Sequence, residues 1–314
     1  MAGVIISLNP AVDVEWRLPS VVPEEKNELT SESRWPGGKG INVARWLAWL
    51  GQPQRLFLPL GGSTGRELAA GLKAEKLSFS AFPLSQPNRA NVVVTPGTGP
   101  QYRFNATWPH LSAAEARELR DEAGAWVKRS DPVVISGTLA FGAPASTYAQ
   151  LVKLARHSGR RVFLDCDREP FARAAREQPF LVKPNEYELG QWAGRTLSQL
   201  SDVVAAAREL SEVTRGWVLV SRGEAGAILV NTRERVSLQA RSPAVTVRNT
   251  VGAGDALLAG TITAVLAGKP MTDWLADGVS IGTAATQVAP GRLPTQAQWR
   301  RIRREVVVTE VGGN

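Results

Sequence analysis

The residues best able to do chemistry lie in the stretch Asn249-Thr250-Val251-Gly252-Ala253-Gly254-Asp255-Ala256. The extended run Ala244-Val245-Thr246-Val247 leads in, and the apolar run Ala256-Leu257-Leu258-Ala259-Gly260 leads out. The stretch therefore reads as strand, glycine turn and helix start. Glycines on either side of Ala253 let the backbone approach a ligand with no Cβ in the way. The first N–H groups of a helix have no internal partner and point outward. Together they make an anion site, suited to a phosphate or to the charge on a phosphate in transfer. Asp255 falls at the edge of that site, where a carboxylate can take a proton from an incoming hydroxyl. The same residues also serve a plain turn with an N-cap aspartate, and a motif this short needs its surroundings to separate the two.

A second glycine-rich stretch, Trp35-Pro36-Gly37-Gly38-Lys39-Gly40-Ile41-Asn42-Val43-Ala44-Arg45, opens a helix with Val43, Trp46, Leu47 and Leu50 at helical spacing and Gly51 at its close. It adds a cation, Lys39, and an amide, Asn42, to another helix N-terminus. The Gly-x-x-x-x-Gly-Lys-Ser/Thr spacing of a Walker A loop is absent, as is the Gly-x-Gly-x-x-Gly of a dinucleotide fold. Asp13 follows the short apolar run Val4-Ile5-Ile6-Ser7-Leu8, at the strand end where open α/β sheets place ligand groups; a turn aspartate is the alternative. Arg89 lies on the extended segment Pro87 to Val94, and guanidinium geometry matches phosphate oxygens. An exposed strand arginine is the alternative there. Lys26 offers a second cation of the same kind.

These residues need elements to position them. Residues 14 to 35 alternate apolar and polar side chains at Val14, Trp16 and Leu18 and then turn polar, which predicts half-exposed strands. Residues 85 to 106 add two extended segments joined by the turn Pro96-Gly97-Thr98-Gly99. Elsewhere the pattern is strand then helix, repeated: Gln54–Leu60 before Gly61-Gly62-Ser63-Thr64-Gly65, Val133–Ile135 before a helix from Ala145, Val162–Leu164 before a helix through Arg173, and Phe180–Val182 before helices through Ala193 and Leu210. Trp217–Val220 continues the series, and Trp274–Val288 and Thr295–Arg304 read as helices. Such alternation predicts an α/β fold with a mainly parallel sheet covered on both faces. Residues 306 to 314 read as a loose tail.

The 314 residues are 43% hydrophobic, enough for a sizeable core, and no apolar run is long enough to span a membrane. The N-terminus lacks the basic and apolar regions of a secretory leader. Cys166 is the only cysteine and His110 and His157 the only histidines, which removes an internal disulfide and argues against a zinc site of Cys and His. The net charge of +8 suits an anionic metabolite as well as a nucleic acid. Zinc-finger, RNA-binding and basic-zipper signatures are all missing, so no nucleic-acid partner is expected. Arg300-Arg301-Ile302-Arg303-Arg304 reads as a solvated helix face.

The two glycine stretches resemble the signatures of the PfkB-type carbohydrate kinases, the ribokinase-like family. The match continues in order through Ser136-Gly137, Lys183-Pro184-Asn185-Glu186-Tyr187-Glu188-Leu189 and Ser221-Arg222-Gly223-Glu224-Ala225-Gly226-Ala227, and so covers nearly the whole chain. Leu8-Asn9-Pro10-Ala11-Val12-Asp13 and the Lys-Pro-Asn-x-x-Glu-Leu motif resemble the phosphofructokinase and tagatose-6-phosphate kinase branch. The resemblance implies a ribokinase-like three-layer sandwich with a small β-sheet lid. Its core is expected over residues 1–13, 36–84 and 107–305, and its lid over 14–35 and 85–106. It implies an ATP-dependent kinase that phosphorylates a hydroxyl of a hexose phosphate, using Mg2+. Asp255 would be the base, and Gly252, Ala253 and Gly254 would donate N–H groups to the transferring phosphoryl group. Asp13, Asn42, Gly37, Gly38, Lys39 and Thr138 would line the sugar pocket, with Arg89 and Lys26 on the phosphate already present. Asn185 and Glu188 would support magnesium, through water. Lys183, Asn185, Ser221, Gly223 and Gly226 would serve the nucleotide. Lys39 favours fructose 1-phosphate as acceptor, ahead of fructose 6-phosphate, tagatose 6-phosphate or a free sugar or nucleoside. Ser136-Gly137-Thr138-Leu139-Ala140-Phe141-Gly142 and Asp165-Cys166-Asp167-Arg168-Glu169 depart from the branch pattern, and these departures bear on the sugar more than on the reaction. A non-catalytic sugar-binding module is the remaining alternative, opposed by the intact Asp255 turn. A cytoplasmic enzyme, able to pair as a homodimer through its lid, is the family expectation.

Overall fold

Val4, Ile5 and Ile6 have no exposed surface at all. They form strand β1 (Val4–Ile6), and successive side chains of a strand point to opposite faces. Both faces of this strand must therefore be covered. A computed structural model describing residues 3–289 and 291–312 shows how.

From β1 the chain enters a small sheet with β2 (Ala11–Leu18) and β3 (Ser31–Gly37). Helix α1 (Lys39–Trp49), β4 (Arg55–Leu60), α2 (Gly62–Ala74) and β5 (Phe79–Pro83) return to the main layer. Strands β6 (Arg89–Pro96) and β7 (Tyr102–Asn105) complete the small sheet. Then come α3 (Ala113–Arg129), β8 (Val133–Ser136), α4 (Thr147–His157), β9 (Val162–Asp165), α5 (Arg168–Ala175), β10 (Leu181–Val182), α6 (Glu186–Ala193), α7 (Leu200–Thr214) and β11 (Trp217–Ser221). The hairpin β12 (Ala227–Asn231) and β13 (Val236–Arg241) precedes α8 (Ala253–Leu266), α9 (Met271–Thr286), α10 (Gln296–Glu305) and β14 (Val307–Glu310).

The large sheet has ten strands in the order β14-β13-β12-β11-β10-β9-β8-β1-β4-β5. Strands β11 to β5 in that order run parallel, and the β12 to β14 edge is antiparallel. Val4 and Ile6 pack with Leu119, Tyr148, Leu151 and Val203 on one face, the side of α3 to α7. Ile5 packs with Ile41, Leu68, Leu258 and Leu275 on the other, the side of α1, α2, α8 and α9. Three layers result, as expected for a parallel sheet between helices. The small sheet has the order β3-β2-β6-β7, with β2 and β6 parallel at its centre.

Helices α8 and α9 meet through glycines. A Cβ added to Gly278 would lie 2.4 Å from Thr261 Oγ1, one on Gly260 2.9 Å from the Asp277 carbonyl oxygen, and one on Gly282 3.1 Å from that of Ala253. No larger residue fits that seam. Helix α8 is apolar around its whole circumference and is buried accordingly.

Three sequence expectations change. Val307–Glu310, read as loose tail, is an edge strand: Val308 lies opposite Ala240, and alternation along β13 extends one strand further than the tail composition suggests. Residues 313 and 314 of that tail lie outside the described residues. Ala244–Val247 forms no strand but an irregular segment after β13, because nothing on that side offers it a ladder partner. The first segment of the small sheet runs from Ala11 to Gly37, slightly wider than residues 14–35, since β2 and β3 stay paired to their junction with the core.

Candidate active site

The turn before α8 is built as its residues require. Gly252 has φ 79°, the left-handed region open to glycine at little cost. The first intrahelical bond runs from the Ala256 N–H to the Gly252 carbonyl, 2.9 Å, so the N–H groups before it face outward. That of Ala253 turns back to the Thr250 carbonyl at 3.4 Å, which leaves Gly252 and Gly254 the freer of the expected donors.

Asp255 is 6% exposed. Asn42 Nδ2 donates to its Oδ2 at 2.8 Å, which joins the two glycine stretches across 213 residues of sequence. Beside the pair sits a charged cluster. Lys39 Nζ lies 2.9 Å from Asp165 Oδ1 and 3.5 Å from Glu188 Oε1. Lys183 Nζ lies 3.2 Å from Asp165 Oδ2 and packs against Gly254. Burial, with the charge of Asp165, pushes the Asp255 carboxyl up to about 7, against Lys39, Asn42 and Lys183. Burial opposes the charge on Lys39, but Asp165, Glu188 and Asp255 overcome it and hold the ammonium well above its ordinary value. Burial likewise opposes the Asp165 charge, and Lys183 and Lys39 outweigh it to keep the carboxyl low. The cluster is thus two ammoniums around a carboxylate that they hold below its ordinary value, next to a second carboxylate raised to about 7.

On the lid side, Asp13 accepts from Asn91 Nδ2 at 3.1 Å, and burial raises its carboxyl. Gly37 is opposite, where a Cβ would strike Asp13 Oδ2. Gly38 caps α1 and takes the Asn42 N–H at 3.0 Å. Arg89 is 9% exposed, so it is no solvated strand arginine. Its terminal nitrogens reach the carbonyls of Ala106 and Asn9, both at 3.2 Å, and its Nε is buried with no hydrogen-bond partner among the described residues. Thr138 Oγ1 accepts from Asn9 Nδ2 at 3.2 Å, which ties the Ser136 loop to the same corner. Lys26 does not join this group: its side chain is 89% exposed in the lid turn, 3.8 Å from Glu28.

On the other side of α8, a cleft of about 810 Å³ is lined by Ser221, Gly223 and Gly226, by Val245 and Val247, and by Ala253 and Gly254. The α8 N-terminus therefore stands between this cleft and the Asp255 cluster. Asn185 and Glu188 form a capping box that starts α6: the Glu188 N–H donates to Asn185 Oδ1 at 2.8 Å, and the Asn185 N–H to Glu188 Oε2 at 2.9 Å. No group of three or more acidic, His or Cys side chains able to hold a metal exists among the described residues. A cation here would have to be held largely by phosphate oxygens and water, with Glu188 as an outer acceptor. That arrangement suits magnesium, which keeps several waters.

Sequence reading missed Asp165 as the partner of both lysines and Arg45 as a partner of Asn42. Arg45 Nη1 donates to Asn42 Oδ1 at 2.9 Å. The only available signal was indirect, in that Asp165 falls at a strand end.

A family model described as pfkB family carbohydrate kinase matches residues 6–297. A 1-phosphofructokinase of Rhodobacter capsulatus is 34% identical over 314 aligned residues, spanning 96% of each chain. An ATP-dependent 6-phosphofructokinase isozyme 2 of Escherichia coli is 32% identical over 300 residues, 95% of this chain and 96% of its own. The crystal structure of phosphofructokinase-2 from Escherichia coli in complex with potassium superposes with a TM-score of 0.89 at 31% identity, covering 97% of this chain and 98% of that one. With two glycine turns meeting at Asp255 and Asn42 inside a matched span this long, the chain belongs to the PfkB family of carbohydrate kinases.

Proposed function

We propose that this kinase transfers the γ-phosphoryl group of ATP to a hexose phosphate, with fructose 1-phosphate as acceptor and fructose 1,6-bisphosphate as product: a 1-phosphofructokinase. The observation that carries the reading is the position of Asp255. It lies at the helix N-terminus that divides an 810 Å³ cleft from the polar corner of Asp13 and Arg89. A triphosphate in the cleft would direct its end at that helix mouth, where the N–H of Gly254 and the fixed charges of Lys39 and Lys183 meet developing phosphoryl charge. A carboxyl near 7 is matched to the task of a general base, taking the acceptor's hydroxyl proton as the new P–O bond forms. Asp13 would hold a sugar hydroxyl. Asn42, held between Arg45 and Asp255, would orient the carboxylate and keep a second amide N–H for a sugar hydroxyl. Arg89 would meet the substrate's phosphate through its unpartnered Nε. Magnesium would supply charge neutralisation on the triphosphate, with Asn185 and Glu188 ordering its water.

The choice of fructose 1-phosphate is supported by Lys39 and by the 34% identical relative of that name; the relative named 6-phosphofructokinase keeps fructose 6-phosphate as the second reading. Work in the cytoplasm and pairing of two chains through the lid belong to the same reading, the latter supported by Phe104 and Tyr102, 58% and 40% exposed on β7. ADP release should be followed across fructose 1-phosphate, fructose 6-phosphate, tagatose 6-phosphate, fructose and ribose. Fructose 1-phosphate should give the highest kcat/KM. A preference for an unphosphorylated sugar overturns the hexose-phosphate reading and leaves the kinase standing.

A further inference from the structure

Arg45 lies in the second turn of α1, points inward and is 7% exposed. Its guanidinium donates from all three nitrogens. Nε and Nη2 grip Glu75, the C-cap of α2, at 2.7 and 2.9 Å, and Nη2 also donates to the Pro36 carbonyl at 3.0 Å. Nη1 donates to Asn42 Oδ1 at 2.9 Å. A guanidinium has donors only. The end of the Asn42 amide that faces it must therefore be the oxygen, and the NH2 must face Asp255. Without Arg45 the amide could turn over and present its oxygen to the carboxylate. Two acceptors then face each other, a state relieved only by a proton on Asp255. Other charged groups around Asp255 come from β9 (Asp165), from α1 (Lys39) and from the segment after β10 (Lys183), and none of them touches the Asn42 amide.

We propose that Arg45 is a positioning residue for phosphoryl transfer: it locks the Asn42 amide so that one oxygen of Asp255 is always hydrogen-bonded and the other is left to receive the acceptor's proton. Glu75 holds the fork of Arg45, and the Pro36 carbonyl ties the same side chain to the start of the first glycine turn. The inference rests on Asp255 acting as the base.

The test uses the full chain with ATP and its best acceptor, comparing wild type with Arg45→Met, Arg45→Lys and Asp255→Asn. kcat and KM are measured from about pH 5.5 to 9, beside thermal unfolding. Arg45→Met should lower kcat at neutral pH by about tenfold and move the acid limb of the kcat profile upward by about one unit, with KM for ATP nearly unchanged. Arg45→Lys, which restores one donor and the charge but not the fork, should recover part of both effects. It also decides the matter if the Met variant fails to fold. A folded Arg45→Met enzyme with the wild-type limb overturns the proposal, whether kcat is retained or falls uniformly, since lost packing alone gives that result. Asp255→Asn separates the two readings. Full kcat in that variant removes the base assignment itself, whereas its inactivity beside an unshifted Arg45→Met sinks only the role of Arg45.

Discussion

Replacing Asp165 by Asn keeps the shape of the buried cluster and removes its central charge. Lys183 suffers most, because its side chain is 4% exposed and Asp165 is its ion-pair partner at 3.2 Å. Lys39 is one-third exposed and keeps Glu188 at 3.5 Å. Removing one partner of a buried pair costs about 3–5 kcal/mol. With Lys39 still paired, the lower end of that range applies. At roughly 2 °C per kcal/mol for a chain of this size, Tm should fall by about 6 °C. Catalysis reports the second consequence. The negative charge of Asp165 helps burial hold the Asp255 carboxyl up near 7, so its loss lets both lysines draw that carboxyl down. The acid limb of kcat should move to lower pH by about one unit. The sign for stability is separate. The Asp165 carboxyl is lowered on folding, so its contribution is present above the unfolded value of about 3.9 and is lost only as pH falls through its lower folded value. The Asp165 pair itself therefore contributes evenly between about pH 5 and 8, while the lower Asp255 carboxyl of the variant narrows the Tm difference as pH rises through about 7. Coupled ADP-release kinetics at saturating substrates, with thermal unfolding in the same buffers, measure both. A Tm unchanged within about 1 °C, or an acid limb that moves upward, would refute the charge coupling.

Asp255→Asn should lose roughly 10²-fold or more in kcat, yet gain stability relative to wild type as pH rises. Burial lifts the folded carboxyl to about 7, so wild type loses its advantage between the unfolded value and 7, and melting curves at about pH 4.5 and 8 should show the gap widen. Arg89→Ala should raise KM for the sugar phosphate by roughly tenfold or more, the scale of a lost charge-assisted hydrogen bond, while KM for ATP holds; unchanged sugar-phosphate kinetics would remove Arg89 from the phosphate site. Glu188→Gln should raise the magnesium concentration needed for half-maximal rate, and excess EDTA should stop turnover of wild type; activity that persists in EDTA contradicts a metal-assisted transfer.

Much of the fold could be read in the chain because its signals are local. The strand-helix alternation from Val133 to Val220 and the turns at Gly38 and Gly252 are patterns within short windows, and the structure contains them. The site was legible as two separate helix mouths. What could not be read is what joins them. Lys39 meets Asp165 across 126 residues and Asn42 meets Asp255 across 213, and no periodicity encodes such pairs. Nothing in the sequence marks Arg45, because its burial depends on Glu75 from another helix. Ala244–Val247 has the composition of a strand, but a strand also needs a neighbour to pair with, and composition does not supply one.

The glycine seam between α8 and α9 sets how this enzyme can diversify. A side chain gained at residue 260, 278 or 282 has backbone within about 3 Å or a hydroxyl closer still, so the seam is closed to substitution, and with it the cleft wall where Gly282 lies beside Leu257 and Val279. The opposite wall, around Val245 and Val247, belongs to a segment with no ladder bonds, and Val247 is 56% exposed. It can lengthen, shorten or change character without disturbing the helix that carries Asp255. Selection for another nucleoside triphosphate, in nature or in a laboratory library, should therefore leave its marks on this irregular segment and spare the helical wall.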